Sequence, residues 1–259
     1  MTRVGILGAN GRMGQVLTRL VTEASDLTLT AAVVREGSEF QGRSDELPVL
    51  TDARAAAQQS DVLIDFTLPA GLSAHLDAAV DTDTPIVIGS TGLDAAGLAA
   101  VDAAAMRIPL VYAANYSSGV TLLRRLAALT AAALDEDFDV EILEAHHRNK
   151  QDAPSGTALA LGESVATGRG VSLAEQAVYT REGITGARER GSIGFQTLRG
   201  GDIVGEHTVL FAGDGERVEL THRASSRETF ARGALRAGRW LIGQAPGRYD
   251  MEDVLGLKD

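Results

Sequence analysis

Short, continuously apolar runs alternate with segments of helical apolar spacing through the first half of the chain. The runs are Val4–Leu7, Leu27–Val34, Val62–Phe66, Ile86–Ile88 and Leu110–Tyr112. Between them lie Arg12–Ala24, Thr51–Gln59, Ala70–Val80 and Asp94–Ala105, whose apolar residues recur every three or four positions. Strands that are apolar on both faces and separated by helices predict a parallel sheet covered on each side. The first fold element is therefore an α/β, Rossmann-like doubly wound domain from Arg3 to about Asn115.

After Tyr116 the pattern changes. Gly119–Leu134 reads as an Ala/Leu helix, Asp139–Ala145 as a strand, His146–Pro154 as a loop and Ser155–Ala166 as a helix. Residues 167–191, rich in Gly and charge, read as loop. Strand patterns follow at Ile193–Leu198, Ile203–Phe211 and Arg217–Thr221. They are joined by Arg199-Gly200-Gly201-Asp202 and Gly213-Asp214-Gly215, both read as hairpin turns. A helix at Glu228–Ile242 and an acidic-apolar tail close the chain. This half predicts a second α+β domain with a mainly antiparallel or mixed sheet.

Composition narrows the function classes. The 259 residues are 44% hydrophobic, which is ample for packed cores, and carry a formal net charge of −11. That acidic balance argues against a nucleic-acid partner. No apolar run approaches the ~20 residues of a membrane span, and the strand pattern at Arg3–Leu7 leaves no room for a leader. A cytoplasmic location is the expectation. The absence of cysteine excludes a disulfide scaffold, a thiolate metal site and a cysteine nucleophile. Only Lys150 and Lys258 are lysines among 24 basic residues. Codon bias accounts for the skew towards arginine, yet position 150 keeps a compact ammonium that a guanidinium cannot imitate.

The stretch Gly8-Ala9-Asn10-Gly11-Arg12-Met13-Gly14 follows the first strand and opens a helix. Gly8 and Gly11 allow a tight turn close to a pyrophosphate, Gly14 allows close helix packing, and the helix N-terminus suits the phosphates. Its Gly-x-x-Gly-x-x-Gly spacing departs from the commoner form, and a plain tight turn is the bland alternative. Its place after the first strand of five favours a dinucleotide. Where the second strand ends, Val34 cannot accept a hydrogen bond from a ribose and Arg35 follows at once, which favours NADPH; Glu36 leaves NADH possible. Gly89-Ser90-Thr91-Gly92 and Ala113-Ala114-Asn115-Tyr116-Ser117 follow strands four and five, where ligands of such sheets bind. Asp65-Phe66-Thr67 after strand three could line the same crevice.

The richest stretch is Glu144-Ala145-His146-His147-Arg148-Asn149-Lys150-Gln151-Asp152-Ala153-Pro154-Ser155-Gly156-Thr157-Ala158. Two imidazoles, a guanidinium and an ammonium on one loop, ahead of a Ser-Gly-Thr helix opening, suit a small dianion that must be protonated. Adjacent histidines lack zinc-protease spacing, and Glu144-x-x-His147 occurs once on a strand end, so no metal is expected. Neither a P-loop nor a Tyr-x-x-x-Lys pair is present. His75, His207 and His222 read as packing or surface residues.

The segment 144–158 resembles the signature of the 4-hydroxy-tetrahydrodipicolinate reductase (dihydrodipicolinate reductase) family. The loop Gly8–Gly14, the turn Gly89–Gly92, Ala113–Tyr116, His222-Arg223-Ala224-Ser225-Ser226-Arg227 and the tail Asp250–Leu257 are similar to other parts of that family. The resemblance implies an NAD(P)H-dependent enzyme of lysine and diaminopimelate synthesis, active as a homotetramer. Residues 1–117 with 227–259 would bind the dinucleotide, and 118–226 would bind a dicarboxylate substrate and form the oligomer. The proton donor falls on His146 and the catalytic lysine on Lys150. Substrate contacts fall on His147, Lys150, Ser155, Gly156 and Thr157. Cofactor contacts fall on Gly8, Ala9, Asn10, Gly11, Arg12, Met13, Arg35, Gly89, Ser90, Thr91, Ala113, Ala114, Asn115 and Tyr116. Many members carry an acidic residue where this chain has Val34, and that departure again favours NADPH. The chain crossings imply hinges near Tyr116–Gly119 and Ser225–Arg227. A non-catalytic dinucleotide sensor would need neither His146 nor Lys150. Another dehydrogenase would need a catalytic pair elsewhere, and the sequence offers none.

Overall fold

The computed structural model describes residues 1–38 and 49–258. From the N-terminus run β1 (Thr2–Leu7), α1 (Arg12–Glu23), β2 (Leu27–Val33), β3 (Val49–Leu50), α2 (Ala53–Gln59) and β4 (Val62–Asp65). Next come α3 (Leu72–Asp81), β5 (Ile86–Ile88), α4 (Ala95–Ala105), β6 (Pro109–Tyr112), α5 (Ser118–Leu134) and β7 (Asp139–His146). The chain continues with α6 (Gly156–Arg169), α7 (Leu173–Gln176), β8 (Ala177–Val178), β9 (Ile193–Arg199), β10 (Gly205–Gly213) and β11 (Glu216–Ala224). It ends with α8 (Glu228–Leu241), β12 (Gly247–Tyr249) and α9 (Met251–Leu255). Two compact units result, Met1–Ser118 with Glu228–Asp259, and Gly119–Arg227.

The first unit holds a parallel sheet of order β12-β6-β5-β4-β1-β2-β3. Successive side chains of a strand point to opposite faces, and both faces are buried. Ile6 packs with Leu17, Val21, Ile64 and Leu241 on one side; Leu7 packs with Val33, Leu63, Leu72 and Val101 on the other. This explains the unbroken apolar runs. Two strands escape the apolar pattern. β3 is only a two-residue edge, and β12 lies in the tail, where it pairs with β6. The tail also forms α9, started by a capping box: the Asp250 side chain accepts from the Asp253 N–H while the Asp253 side chain accepts from the Asp250 N–H.

The second unit holds a sheet of order β11-β10-β7-β9-β8. Its β10–β11 and β10–β7 ladders are antiparallel, and its β7–β9 and β8–β9 ladders are parallel. Helices α5 and α6 contribute Leu123, Ala127, Leu161 and Val165 to a core with Val140, Ile142, Phe195, Val209 and Phe211. Gly213-Asp214-Gly215 is a hairpin, as its composition predicts. Arg199-Gly200-Gly201-Asp202 is not, because β7 lies between β9 and β10 and makes the partner of both. The predicted loop 167–191 also contains the last turn of α6, the short α7 and the edge strand β8. Both misreadings have one cause: a two-residue strand and a crossover leave no periodicity to detect.

Candidate active site

In the first unit the order of strands reverses between β1 and β4, where open α/β sheets bind ligands. A crevice of about 940 Å³ opens there, walled by Gly8, Asn10, Gly11, Arg12, Met13, Val34, Arg35, Glu36, Phe66, Thr67 and His75 among others. Gly8 has φ +79°, and a Cβ on Gly14 would stand 2.2 Å from the Gly8 carbonyl oxygen, so helix and loop meet at a distance only glycine permits. The Gly8 and Ala9 N–H groups both donate to the Val33 carbonyl at 3.0 Å, fixing the loop to β2. Helix α1 then begins with no capping side chain, leaving a first turn suited to an anion. Arg12 and Arg35 are exposed and make no ion pair with a described residue. The first turn of α1 and the glycine loop give a cradle of the kind that receives a dinucleotide's pyrophosphate.

The other expected contacts stand on neighbouring strand ends. Gly89, Ser90 and Thr91 follow β5, and the Ser90 hydroxyl donates to the Thr67 carbonyl at 2.8 Å. Ala113, Ala114 and Asn115 follow β6, and Asn115 Oδ1 accepts from the Ser117 N–H at 2.8 Å. None of these six lines the 940 Å³ crevice itself. Tyr116 is buried with its hydroxyl hydrogen-bonded to the Ile88 and Val111 carbonyls, so its side chain serves the core. His75, read from the sequence as a packing or surface residue, stands on the crevice wall. Its Nδ1 lies 2.7 Å from Oδ2 of the fully buried Asp65, whose other oxygen accepts from the Thr67 N–H.

In the second unit, alternation along β7 buries Val140, Ile142, Glu144 and His146 on one face. The first two complete the core; the last two begin a polar cluster at its end. Strand register brings Thr197 of β9 and His207 of β10 beside Glu144, and Arg199 beside His146. The Glu144 carboxylate lies 2.6 Å from His146 Nδ1 and accepts from the Ser155 N–H at 3.0 Å. The Arg199 guanidinium forks onto its two oxygens at 2.7 and 2.8 Å. Burial opposes charge on Glu144, but the bonds from Arg199, His146 and Ser155 outweigh it and hold the carboxyl at about 2. Burial likewise lowers His146 from its ordinary value, with Lys150 and Arg199 adding to the effect against the pull of Glu144. The His207 ring meets His146 edge-on at 5.1 Å, and its Nε2 lies 3.1 Å from Ser155 Oγ. Burial pushes it down to about 4.

The loop 147–154 carries the rest. Lys150 is partly buried with its ammonium 2.8 Å from Asp152 Oδ1. His147 Nδ1 is buried without a hydrogen-bond partner among the described residues. Ser155 caps α6 by accepting from the Ala158 N–H at 3.2 Å, placing Gly156 and Thr157 in the helix's first turn. The sequence therefore locates His146, His147, Lys150, Ser155, Gly156 and Thr157 in one place. It misses Arg199, Thr197 and His207, which arrive from distant strands. His207 had a local signal, an imidazole in alternation with Val209 and Phe211 on a buried face. No group of side chains suited to a metal ion is present among the described residues.

Known proteins share both units. The chain matches family models for the N-terminus of dihydrodipicolinate reductase over residues 2–116 and for its C-terminus over residues 119–255. It is 57% identical over 265 residues to the 4-hydroxy-tetrahydrodipicolinate reductase of Alkalilimnicola ehrlichii, covering 99% of each chain. With the enzyme of the same name from Thiobacillus denitrificans the identity is 53% over 264 residues, again 99% of each. Among solved structures it is similar to the dipicolinate-bound dihydrodipicolinate reductase of Paenisporosarcina sp. TG-14. That match has a TM-score of 0.80 and 26% identity, over 96% of this chain and 97% of the other. A DAP dehydrogenase of C. glutamicum, at 14% identity and TM-score 0.58 over 100% of this chain and 96% of its own, shares the fold alone.

Proposed function

The chain belongs to the dihydrodipicolinate reductase family, and from that premise we propose that it reduces 4-hydroxy-tetrahydrodipicolinate, by way of dihydrodipicolinate, to tetrahydrodipicolinate. It would do so in diaminopimelate and lysine synthesis, with NADPH preferred and NADH possible. The first unit binds the dinucleotide through Gly8–Met13, Arg35 and the strand-end segments 89–91 and 113–116. The second binds the dicarboxylate. When bound, the nicotinamide supplies a hydride to the substrate's conjugated imine.

The protein's own residues supply the proton and the anion site. His146 is the proton donor, and the observation that carries this role is its buried Nδ1 held 2.6 Å from an ionised Glu144. That carboxylate can only accept, so the proton on Nδ1 is committed; Nε2 takes a second proton from solvent, and the imidazolium so formed gives that proton to the substrate and returns to the neutral Nδ1–H form. Lys150 meets a substrate carboxylate in place of Asp152 and stabilises the charge that develops on the ring side. His147, Ser155, Gly156 and Thr157 complete the anion site through the first turn of α6.

The reading includes a homotetramer in the cytoplasm. Leu143 and Leu198, 41% and 54% exposed, lie on the face of the second sheet turned away from its core and support an assembly surface. Among the described residues no helix is long and apolar enough to cross a membrane. The test is an assay at 340 nm with freshly made hydroxytetrahydrodipicolinate and each cofactor in parallel. Substrate-dependent oxidation, faster with NADPH at low concentration, is expected. No oxidation with either cofactor would overturn the function.

A further inference from the structure

Glu144 enters the proton transfer just described only as the acceptor that commits Nδ1, and Arg199 not at all, yet they are the most densely bonded charged pair in the second unit's cluster. Glu144 faces five donors: His146 Nδ1–H, the Ser155 N–H, two nitrogens of Arg199 and the Thr197 hydroxyl at 3.3 Å. Arg199 is held in turn, its guanidinium donating to the Asp152 carbonyl at 2.7 Å. It thereby ties β9 to the loop that carries Lys150. We propose that Glu144 and Arg199 are positioning residues for the proton transfer. Glu144 pins the Nδ1–H tautomer and the ring plane of His146, so that Nε2 faces the substrate, and Arg199 fixes that carboxylate and offsets its charge. The proposal rests on the assignment of His146 as proton donor.

Three observations support it. First, Glu144 and His146 are two apart on a strand, so both side chains leave the same face, and the pair needs no loop to hold it. A free imidazole has two tautomers, and a carboxylate fixed at one nitrogen selects between them. Second, the Nε2 side is kept clear. A Cβ on Gly205 would stand 3.1 Å from His146 Nε2, so the start of β10 is bare where the reacting atom lies. Third, the surroundings offset the carboxylate, with burial first and Lys150 and Arg199 adding to it. A carboxylate 2.6 Å away would by itself stabilise the imidazolium and raise the histidine. The charged and titratable groups around the His146 ring are Glu144 on its own strand, Arg199 on β9, His207 on β10 and Lys150 on the following loop. Burial and the two cations prevail, and His146 is lowered. Glu144 therefore orients the ring, while burial, with Lys150 and Arg199 adding to it, keeps the imidazolium from holding its Nε2 proton too tightly to give it up.

The experiment combines imidazole ¹⁵N NMR with kinetics on the whole chain. The chain has five histidines, and the His146 signals are assigned by their loss in His146→Gln. In the unmodified protein above the His146 midpoint, the proton is expected on Nδ1 with Nε2 bare. Glu144→Gln is expected to mix the tautomers and to lower kcat about 10- to 100-fold, less than the roughly 10²- to 10⁴-fold lost when a general acid itself is removed. The KM for the dicarboxylate should change less than about three-fold, because anion contacts are untouched. Arg199→Gln leaves Glu144 uncompensated, and the His146 titration midpoint should rise. Arg199→Lys, which keeps the charge, should restore most of that shift. A merely structural role would lower stability without moving tautomer or midpoint.

An Nε2–H tautomer in the unmodified protein would overturn the proposal without any variant having to fold. So would wild-type kcat and an unchanged spectrum in Glu144→Gln. Failure of the proton-donor assignment looks different: His146→Gln itself would then turn over at nearly the wild-type rate.

Discussion

In the mechanism proposed above, His146 and Lys150 divide one task between a proton and a charge, so their replacements should fail differently. His146→Gln removes the donor and leaves the anion site, and kcat is expected to fall about 10²- to 10⁴-fold with the cofactor Kd unchanged. Lys150→Ala should both lower kcat and raise the KM for the dicarboxylate, because the ammonium meets the bound and the developing charge alike. Steady-state kinetics with a separate cofactor titration checks both, and near-normal turnover in either variant would remove that residue from the mechanism. Arg35 poses the matching question in the first unit. It is exposed on the crevice wall, has no ion pair with a described residue, and follows an apolar Val34 that can hold no ribose hydroxyl. Charge-assisted bonds of this kind contribute about 1.5–3 kcal/mol, or roughly 10- to 100-fold in affinity. Arg35→Ala should therefore raise the KM for NADPH by about that factor and leave NADH within about two-fold. Equal losses for both cofactors would show that Arg35 serves the adenosine and not its phosphate.

At the scale of elements, legibility followed periodicity. The five central strands and the four helices between them were readable because each is long enough to bury a continuous apolar run. The seventh strand was hidden behind a tail whose signal is a capping box at Asp250 and Asp253, a side-chain to backbone device that leaves hydropathy unchanged. The candidate site was legible where it is local, in the loop from His146 to Thr157, and illegible where register supplies it. Arg199 and His207 lie more than fifty residues from Glu144, and only the central place of β7 brings them beside it. Helix α8 shows the same dependence on packing. A Cβ on Gly233 would stand 1.7 Å from the Tyr116 carbonyl oxygen, whereas one on Gly238, a turn and a half along, meets nothing closer than 3.7 Å. Alanine gains up to about 1 kcal/mol of helix propensity at either position. At 233 the clash is with backbone that a rotamer change cannot relieve, and overpacking costs about 1–3 kcal/mol. Gly233→Ala should lower Tm by several degrees and Gly238→Ala should hold or raise it. Thermal unfolding of the two variants side by side checks this, and equal Tm values would show that α8 slides freely over Tyr116.

For the molecule as a whole, two opposed effects act on acidification, and their balance can be measured. The chain carries a net charge of −11, so lowering the pH from 7 first relieves self-repulsion and favours the compact state. Buried groups of the second unit act the other way. His207 is 4% exposed and held at about 4, against 6.5 for a free imidazole. Above pH 6.5 it is neutral in both states and contributes no pH dependence. Between about 6.5 and 4 the unfolded chain takes up a proton that the folded chain refuses, so stability falls as pH falls. The full shift is worth about 3 kcal/mol. His146, also lowered, acts in the same direction. Glu144 extends the loss: its folded value of about 2 lies below its ordinary 4.5, so its contribution is intact above 4.5 and disappears as pH falls towards 2. Repulsion between exposed charges is screened by salt, while a proton refused by a buried ring is not. Tm is therefore expected to fall by several degrees between pH 6.5 and 4.5 in 0.15 M salt. His207→Gln keeps an amide near Nε2 to bond Ser155 but cannot titrate, and its Tm should fall with a visibly shallower slope. Parallel slopes in the two proteins would place the acid sensitivity outside this histidine and leave His146 and the surface carboxylates to account for it.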